Sequence, residues 1–448
     1  MKQLKIKDNS KINKSEFFQV SKITCKVADK TLDNLEREGV FVFPGFLKES
    51  KDLTKDQIIL QSYNDTYRSG NVMGFLGLDD ERLIIESRFG CANNDYFLKY
   101  LLQKVIEIPN VLDFDADANP DSQMLDLFVF LFPFCVKKAL RKGLFKTYVT
   151  KEYNDSNPNG TIDIARHIKM NTPYVGKIAY NQREYSYDNY LTELVRHTLE
   201  FIKKKPYGRR ILSQINDESK LIVEATQNYQ LCDKQKIIDQ NKKNVIQHAY
   251  YHEYRALQYL CILILQNKKH QIGTGINRVY GILFDGAWLW EEYINLLVKD
   301  LFYHPMNKEG KGAQRLFDGN IGLIYPDFIS KNSNERIIAD AKYKPIGNIN
   351  NSDYFQVLTY MMRFDAKTGV YFYPDTENFE EVRLWVNKGL TYEKNVAKRD
   401  DISIIKHGLI IPNNAKSYND FSEMMKKSED EFVRKCFDFN RKQDVKQI

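Results

Sequence analysis

Asp327, Asp340 and Lys342 are the residues whose types and spacing could do chemistry. Asp340 and Lys342 stand two apart, so on a strand both side chains leave one face. An apolar run ends in Pro326-Asp327, the polar turn Lys331-Asn332-Ser333-Asn334 reverses the chain, and Ile337-Ile338-Ala339 delivers Asp340-Ala341-Lys342. Two β-rich runs about a turn predict a hairpin, and its pairing would bring Asp327 toward the same face. Carboxylates held together repel unless a cation lies between them. A hard divalent ion with oxygen ligands, Mg²⁺, suits such a pair. The lysine beside it could orient or activate a water, or stabilise charge on a phosphate. Taken alone, Asp-X-Lys is a common tripeptide, and an exposed hairpin with one charged face would carry the same residues.

The flanking residues narrow the chemistry. Gln356 and Tyr360, four apart, share one face of the helix expected after the hairpin. Pro-Asp, about a dozen residues, Asp-X-Lys, then Gln-X-X-X-Tyr is the order seen in PD-(D/E)xK nucleases. Before the hairpin, Phe284 to Phe302 reads as an amphipathic helix bearing Trp288, Trp290, Glu291, Glu292 and Tyr293. One of its adjacent glutamates could hold the metal or its water. Only one can face the sheet; Glu291 is favoured and Glu292 competes. The chemistry expected is metal-assisted phosphodiester hydrolysis: Asp327, Asp340 and Glu291 on Mg²⁺, Lys342 near the attacking water or the phosphate, Gln356 and Tyr360 orienting the lysine or the DNA backbone. Lys344 is a candidate DNA contact. So are Lys204 and Arg209, in the basic turn Lys203-Lys204-Lys205-Pro206-Tyr207-Gly208-Arg209-Arg210, which serves equally as a solvated helix connection.

The elements that must position these residues give an α+β multidomain chain. From Ile23 to Phe89 short β runs predict a small sheet or partial barrel with a helix near Leu32 to Glu38, preceded by a loose lysine-rich arm over residues 1–20. Helices are expected over 95–108 and 121–144, separated by the solvated insert Asp113 to Asp121. Strands are expected over Phe145 to Tyr153 and Thr161 to Ile164. Tyr180 to Asp188 leads into helices over Asp188–Lys203, Glu218–Leu231 and Asn244–Gln266, and residues 268–279 form a linker. The resulting division is a β-rich N-terminal domain (1–175), a helical connector (176–270) and a restriction-endonuclease-like α/β domain (271–448). In the last, strands follow at Val370–Tyr373, Val382–Val386 and Ile402–Ile405, and a helix at Phe421–Phe437 closes the chain.

Composition bounds the rest. The 448 residues are 43% hydrophobic with a net charge of +7, globular and mildly basic, compatible with nucleic acid without identifying it. Cys25, Cys91, Cys135, Cys232, Cys261 and Cys436 form no C-x-x-C, so neither a zinc ribbon nor a disulfide framework is expected. A reducing cytoplasm suits them. No stretch is long and apolar enough to predict export or membrane insertion. His248 and His252 have zinc-compatible spacing with Glu253 adjacent, but no third ligand follows. No G-x-x-x-x-G-K-[ST] occurs, so the chain is not expected to hydrolyse a nucleotide through a P-loop.

Taken together, the sequence resembles the McrC family, the nuclease subunits of McrBC-type restriction systems, and within it the LlaJI-like branch. The likeness runs from about Ile23 onward. It rests on L-W-E-E-Y-I (Leu289–Ile294), Y-P-D-F (Tyr325–Phe328), D-A-K-Y-K (Asp340–Lys344) and Y-F-Q-V-L-T-Y (Tyr354–Tyr360). Weaker pieces are Gly74–Phe89, Lys142–Tyr148, Asn159–Asp163 and Tyr185–Leu199. The resemblance implies a double-stranded DNA substrate and an McrB-like AAA+ GTPase hexamer that binds the GTP. It implies an N-terminal domain that enters the hexamer's pore and stimulates GTP hydrolysis, and a C-terminal domain that cuts. Dimerisation through the nuclease domain is compatible with it. Where many relatives carry Pro-Lys after the Leu83–Glu86 strand, this chain has Ser87-Arg88, so no GTPase-stimulating residue transfers. Two other readings stay open: an interaction subunit that mainly activates its motor, and a RecB-like repair exonuclease.

Overall fold

Alternation along the first strand decides how the chain begins. In β1 (Lys2–Lys7) Leu4 and Ile6 are buried while Lys5 and Lys7 are exposed. The segment expected as a loose arm is therefore a half-buried strand, followed by β2 (Lys11–Asn13) and a 3₁₀ turn over Lys14–Val20. The computed structural model describes residues 2–38, 40–43, 57–90, 96–105, 120–266, 279–305, 313–319, 321–332, 335–377, 379, 381–389 and 397–441. Cys91, Ser333-Asn334, residues 113–119 of the acidic insert and 268–278 of the linker lie outside them.

After α1 (Ser21–Val27) and α2 (Leu32–Glu38) come β3 (Val40–Phe43), β4 (Leu60–Tyr63), β5 (Thr66–Ser69), β6 (Val72–Leu78) and β7 (Glu81–Glu86). β2, β5 and β4 form a small antiparallel sheet. β6 and β7 make a hairpin about Asp79-Asp80, with Asp79 in the left-handed region at φ 49°. The helix α3 (Tyr96–Val105) follows, buried over Tyr96–Leu102.

A second unit spans residues 119–274. It holds α4 (Pro120–Leu140), β8 (Thr147–Asp155), β9 (Thr161–Ile162), α5 (Ile164–Met170), β10 (Ile178–Ser186), α6 (Tyr190–Lys203), α7 (Gly208–Leu212), α8 (Asn216–Ala225), α9 (Lys234–Lys243) and α10 (His252–Gln266). β10, expected only as a lead-in to a helix, is the central strand between β8 and β9. Its helix starts later, where the Asn189 side chain accepts the Leu191 and Thr192 amides.

The remaining elements are β11 (Tyr280–Asp285), α11 (Gly286–Val298), β12 (Phe302–Tyr303), β13 (Gln314–Arg315), β14 (Leu323–Ile324), β15 (Phe328–Ser330), β16 (Ile337–Ala341), α12 (Asn351–Arg363), β17 (Thr368–Asp375), β18 (Val382–Lys388), β19 (Ala397–Ile410) and α13 (Tyr418–Arg441). β11 completes the N-terminal sheet, in the order β1-β7-β6-β11-β3. This explains why residues 1–118 and 275–448 form one unit. The division expected at 175 and 270 differs from the observed one, because a strand from beyond residue 275 is needed to pair with β6 and β3.

The second large sheet runs β12-β15-β16-β17-β19-β18, with β16, β17 and β19 parallel. α12 covers one face through Val357, Tyr360 and Met361, against Ile338, Tyr371 and Ile404. α11 lies on the sheet too, where the Trp290 Nε1–H donates to the Phe372 carbonyl at 3.0 Å. α13 packs Phe432 on Phe372 and His407. The expected order of helix, hairpin, helix and strand is thus α11, β15, β16, α12 and β17.

Candidate active site

Asp285 opens the helix that brings the first carboxylate. Its Oδ1 accepts the Trp288 amide at 2.8 Å, so α11 starts at Gly286 rather than at Phe284. One and a half turns on, Glu291 is buried and Glu292 only half-buried. Of the adjacent pair, Glu291 is the one whose charge reaches Asp327 and Asp340.

The hairpin supplies the next two. Phe328 pairs with Ala339, which places Asp327, just before β15, beside the end of β16. Its Oδ2 accepts the Ala341 amide at 2.9 Å. Asp340 lies inside β16 on the α12 side, 1% exposed. Lys342 follows the strand, its own amide donating to the Phe372 carbonyl at 2.9 Å. Its ammonium stands 2.7 Å from Asp340 Oδ2.

α12 closes the other side. Asn350 and Asp353 form a capping box at its start. Lys342 Nζ donates to Gln356 Oε1 at 3.0 Å, and Gln356 Nε2 donates to the Tyr360 hydroxyl at 2.7 Å. Asp327, Asp340, Lys342, Gln356, Tyr360 and Glu291 are therefore gathered in one place.

Two further residues belong here that the sequence reading did not single out. His304, after β12, contacts the Asp327 carbonyl through Nδ1 at 2.9 Å and stands 3.6 Å from Glu291 Oε1, its ring stacked on Phe328. No motif spacing marks it. Asp353 accepts Lys344 Nζ at 2.6 Å and lies 3.7 Å from Lys342 Nζ. Its position three residues before Gln356, at the start of a helix, was the available signal.

Lys344 is consequently held in an ion pair with Asp353. Lys204 and Arg209 are exposed side chains of the unit spanning residues 119–274. His248 Nδ1 accepts the Tyr250 amide and His252 pairs with Glu253, and no group of three metal-ligating side chains forms there among the described residues.

Burial raises the Asp327 carboxyl far above the ordinary carboxylate range, and the charges of Asp340 and Glu291 push the same way. Burial raises Asp340 as well, opposed by Lys342. Burial alone would lower Lys342, but Asp340, Asp327 and Asp353 outweigh it and hold the amine as an ammonium. In this arrangement the Lys342 ammonium faces Asp340 and donates to Gln356.

The donor set fits a divalent ion. Asp340 Oδ2 is buried, and its close partner is the Lys342 ammonium at 2.7 Å. Two anionic oxygen groups at close quarters stay costly until a cation joins them. Among the described residues no group of three or more metal-ligating side chains forms, so Asp327, Asp340 and Glu291 are not brought together as a three-ligand set, and any ion held here would rest on the Asp327 and Asp340 pair.

A family model described as McrBC 5-methylcytosine restriction system component matches residues 67–374, more than half of the chain. No curated protein matches it significantly. Among solved structures, a refined half-complex from a tetradecameric assembly of Thermococcus gammatolerans McrB AAA+ hexamers with bound McrC aligns over 98% of this chain and 100% of that one, at 15% identity and a TM-score of 0.47. A chain of the Thermococcus gammatolerans McrBC complex aligns over 66% of this chain and 88% of its own, at 14% identity and a TM-score of 0.27.

Proposed function

The chain belongs to the family of McrBC 5-methylcytosine restriction system components, and from that premise we propose that it is the nuclease subunit of a GTP-dependent restriction system. In this reading it is a Mg²⁺-dependent endodeoxyribonuclease of the PD-(D/E)xK type. It works in the cytoplasm on double-stranded DNA, in complex with an McrB-like AAA+ GTPase hexamer whose GTP hydrolysis it stimulates.

One observation carries the nuclease reading: the unbroken chain Asp340–Lys342–Gln356–Tyr360, with Asp327 pinned to the Ala341 amide beside it. Asp327 and Asp340 would hold the ion, with Glu291 facing the pair. When bound, Mg²⁺ polarises the scissile phosphate and lowers the pKa of a water. Lys342 donates toward the phosphate or the attacking water, while Gln356, itself fixed by Tyr360, keeps the ammonium from swinging away. Holding such a group in place is itself a large part of catalysis. The absence of a P-loop motif from the sequence supports a motor on another chain.

The test is reconstitution. The purified chain, its cognate AAA+ GTPase, GTP and Mg²⁺ are incubated with closed circular DNA and, in parallel, with linear DNA. Cutting that needs all four components, and stops with EDTA, is the expected result. Degradation from free ends alone, without the GTPase, would overturn the restriction reading in favour of a repair exonuclease.

A further inference from the structure

The lysine at the centre of the cluster is followed by a residue with a different task. Lys342 turns to α12, whereas the Tyr343 side chain reaches Met73 on β6 and Ser87 just past β7, in the N-terminal sheet of the same unit.

Its seat is closely fitted. The hydroxyls of Tyr343 and Ser87 share a buried hydrogen bond of 2.7 Å, and the Tyr343 hydroxyl also donates to Met73 Sδ at 3.3 Å. The Arg88 guanidinium lies over the ring, 4.8 Å from its centroid, and Phe89 meets it edge-on at 5.0 Å. Arg88 is in turn fixed by the fully buried Asp8, at 2.8 Å. On the remaining side the ring lies flush against Gly286, where a Cβ would come within 2.7 Å of Tyr343 Cε1. Gly286 is the first residue of α11, the helix that carries Glu291.

Three parts of the unit therefore converge on one phenol ring: the end of β7, the start of α11 and the end of the catalytic strand. We propose that Tyr343 is the positioning residue that sets Lys342 against Asp340, and that Ser87-Arg88 is its anchor in the N-terminal sheet. Past β16 the Lys342 main chain is held on one side by the Phe372 carbonyl. The Tyr343 side chain supplies the hold on the other side. A shift of the end of β7 would reach Lys342 through the Tyr343 side chain. The consequence for cleavage rests on the nuclease reading; the seating of Lys342 does not.

The experiment measures the lysine directly. The full-length chain, as Tyr343→Phe and as Ser87→Ala, is treated with limiting acetic anhydride, and acetylation of Lys342 is quantified by mass spectrometry relative to the exposed Lys243. Both variants should speed acetylation of Lys342 by about threefold or more through local loosening, with thermal unfolding almost unchanged. In the reconstituted complex they should lower kcat by about tenfold, as misplacement of a positioned group does, with KM unchanged. Unchanged Lys342 reactivity in both variants would overturn the proposal. If Tyr343→Phe does not fold, Ser87→Ala decides. If the wild-type complex shows no cleavage that depends on Asp340, the nuclease reading falls, and the acetylation result still decides the seating.

Discussion

Lys342 Nζ stands 2.7 Å from Asp340 Oδ2, and its other close partner is Gln356 Oε1 at 3.0 Å. The ammonium is thus shared between a candidate metal ligand on the strand and an amide on the facing helix. Removing it leaves Asp340 buried with no compensating charge. Lys342→Ala should lower stability by about 3 kcal/mol, toward the low end for breaking a buried pair. Thermal unfolding in EDTA measures the loss, and saturating Mg²⁺ should restore part of it. An unfolding temperature equal to that of the wild type would show that the pair contributes nothing.

The Asp327 shift makes stability depend on pH in a definite direction. Its folded pKa is raised above that of the unfolded chain. Between the two values the folded state holds a proton that the unfolded state has released. The stability this provides is present at low pH and lost as pH rises through the folded pKa. Asp327→Asn keeps an acceptor for the Ala341 amide and removes the charge. In EDTA it should unfold at a higher temperature than the wild type, by a margin that grows from pH 5 to pH 8. Mg²⁺ should close the margin, since a ligand at a hundredfold excess over its Kd stabilises the wild type by about 2.7 kcal/mol. A margin independent of pH would contradict the assignment.

Tyr360→Phe should cost less than Gln356→Ala. The tyrosine touches Lys342 only through Gln356. We expect about a tenfold loss of kcat for the first and about a hundredfold for the second, on the scale of misplaced catalytic groups. Single-turnover cleavage by the complex measures both. An inverted order would place Tyr360 against substrate.

Glu429 tests how α13 is held. Its Oε1 accepts the hydroxyls of Tyr100 on α3 and Tyr293 on α11, each at 2.7 Å. Glu429→Ala leaves buried hydroxyls unpaired and should destabilise by about 1–3 kcal/mol. Adding Tyr100→Phe and Tyr293→Phe should recover much of that loss in thermal melts, because no buried hydroxyl is then stranded; the part-exposed Lys104 ammonium, 3.2 Å from Glu429 Oε2, can turn to solvent.

Local signals in the sequence were readable and non-local ones were not. Pro-Asp, Asp-X-Lys and Gln-X-X-X-Tyr lie within one hairpin and one helix, so their periods placed all five side chains. The β1 arm was misread because lysine content hid the alternation of Leu4 and Ile6. The helix expected from Phe284 ran two residues too early because Asp285, its N-cap, was passed over. That β11 pairs with β6 and β3 could not be read from local pattern, since the partners lie some two hundred residues apart and only their pairing defines the unit. His304 was missed for the same reason: the pairing of β12 with β15 folds it onto Asp327 and Glu291 with no spacing to announce it.

The most direct measurement uses Asp340→Ala in the reconstituted complex, with two readings from one sample. The variant should stimulate the partner's GTPase as well as the wild type does, while DNA cleavage falls by at least about a thousandfold, the scale of losing a catalytic group. Cleavage at the wild-type rate by Asp340→Ala would contradict the account, because the carboxylate at its centre would then do no chemistry.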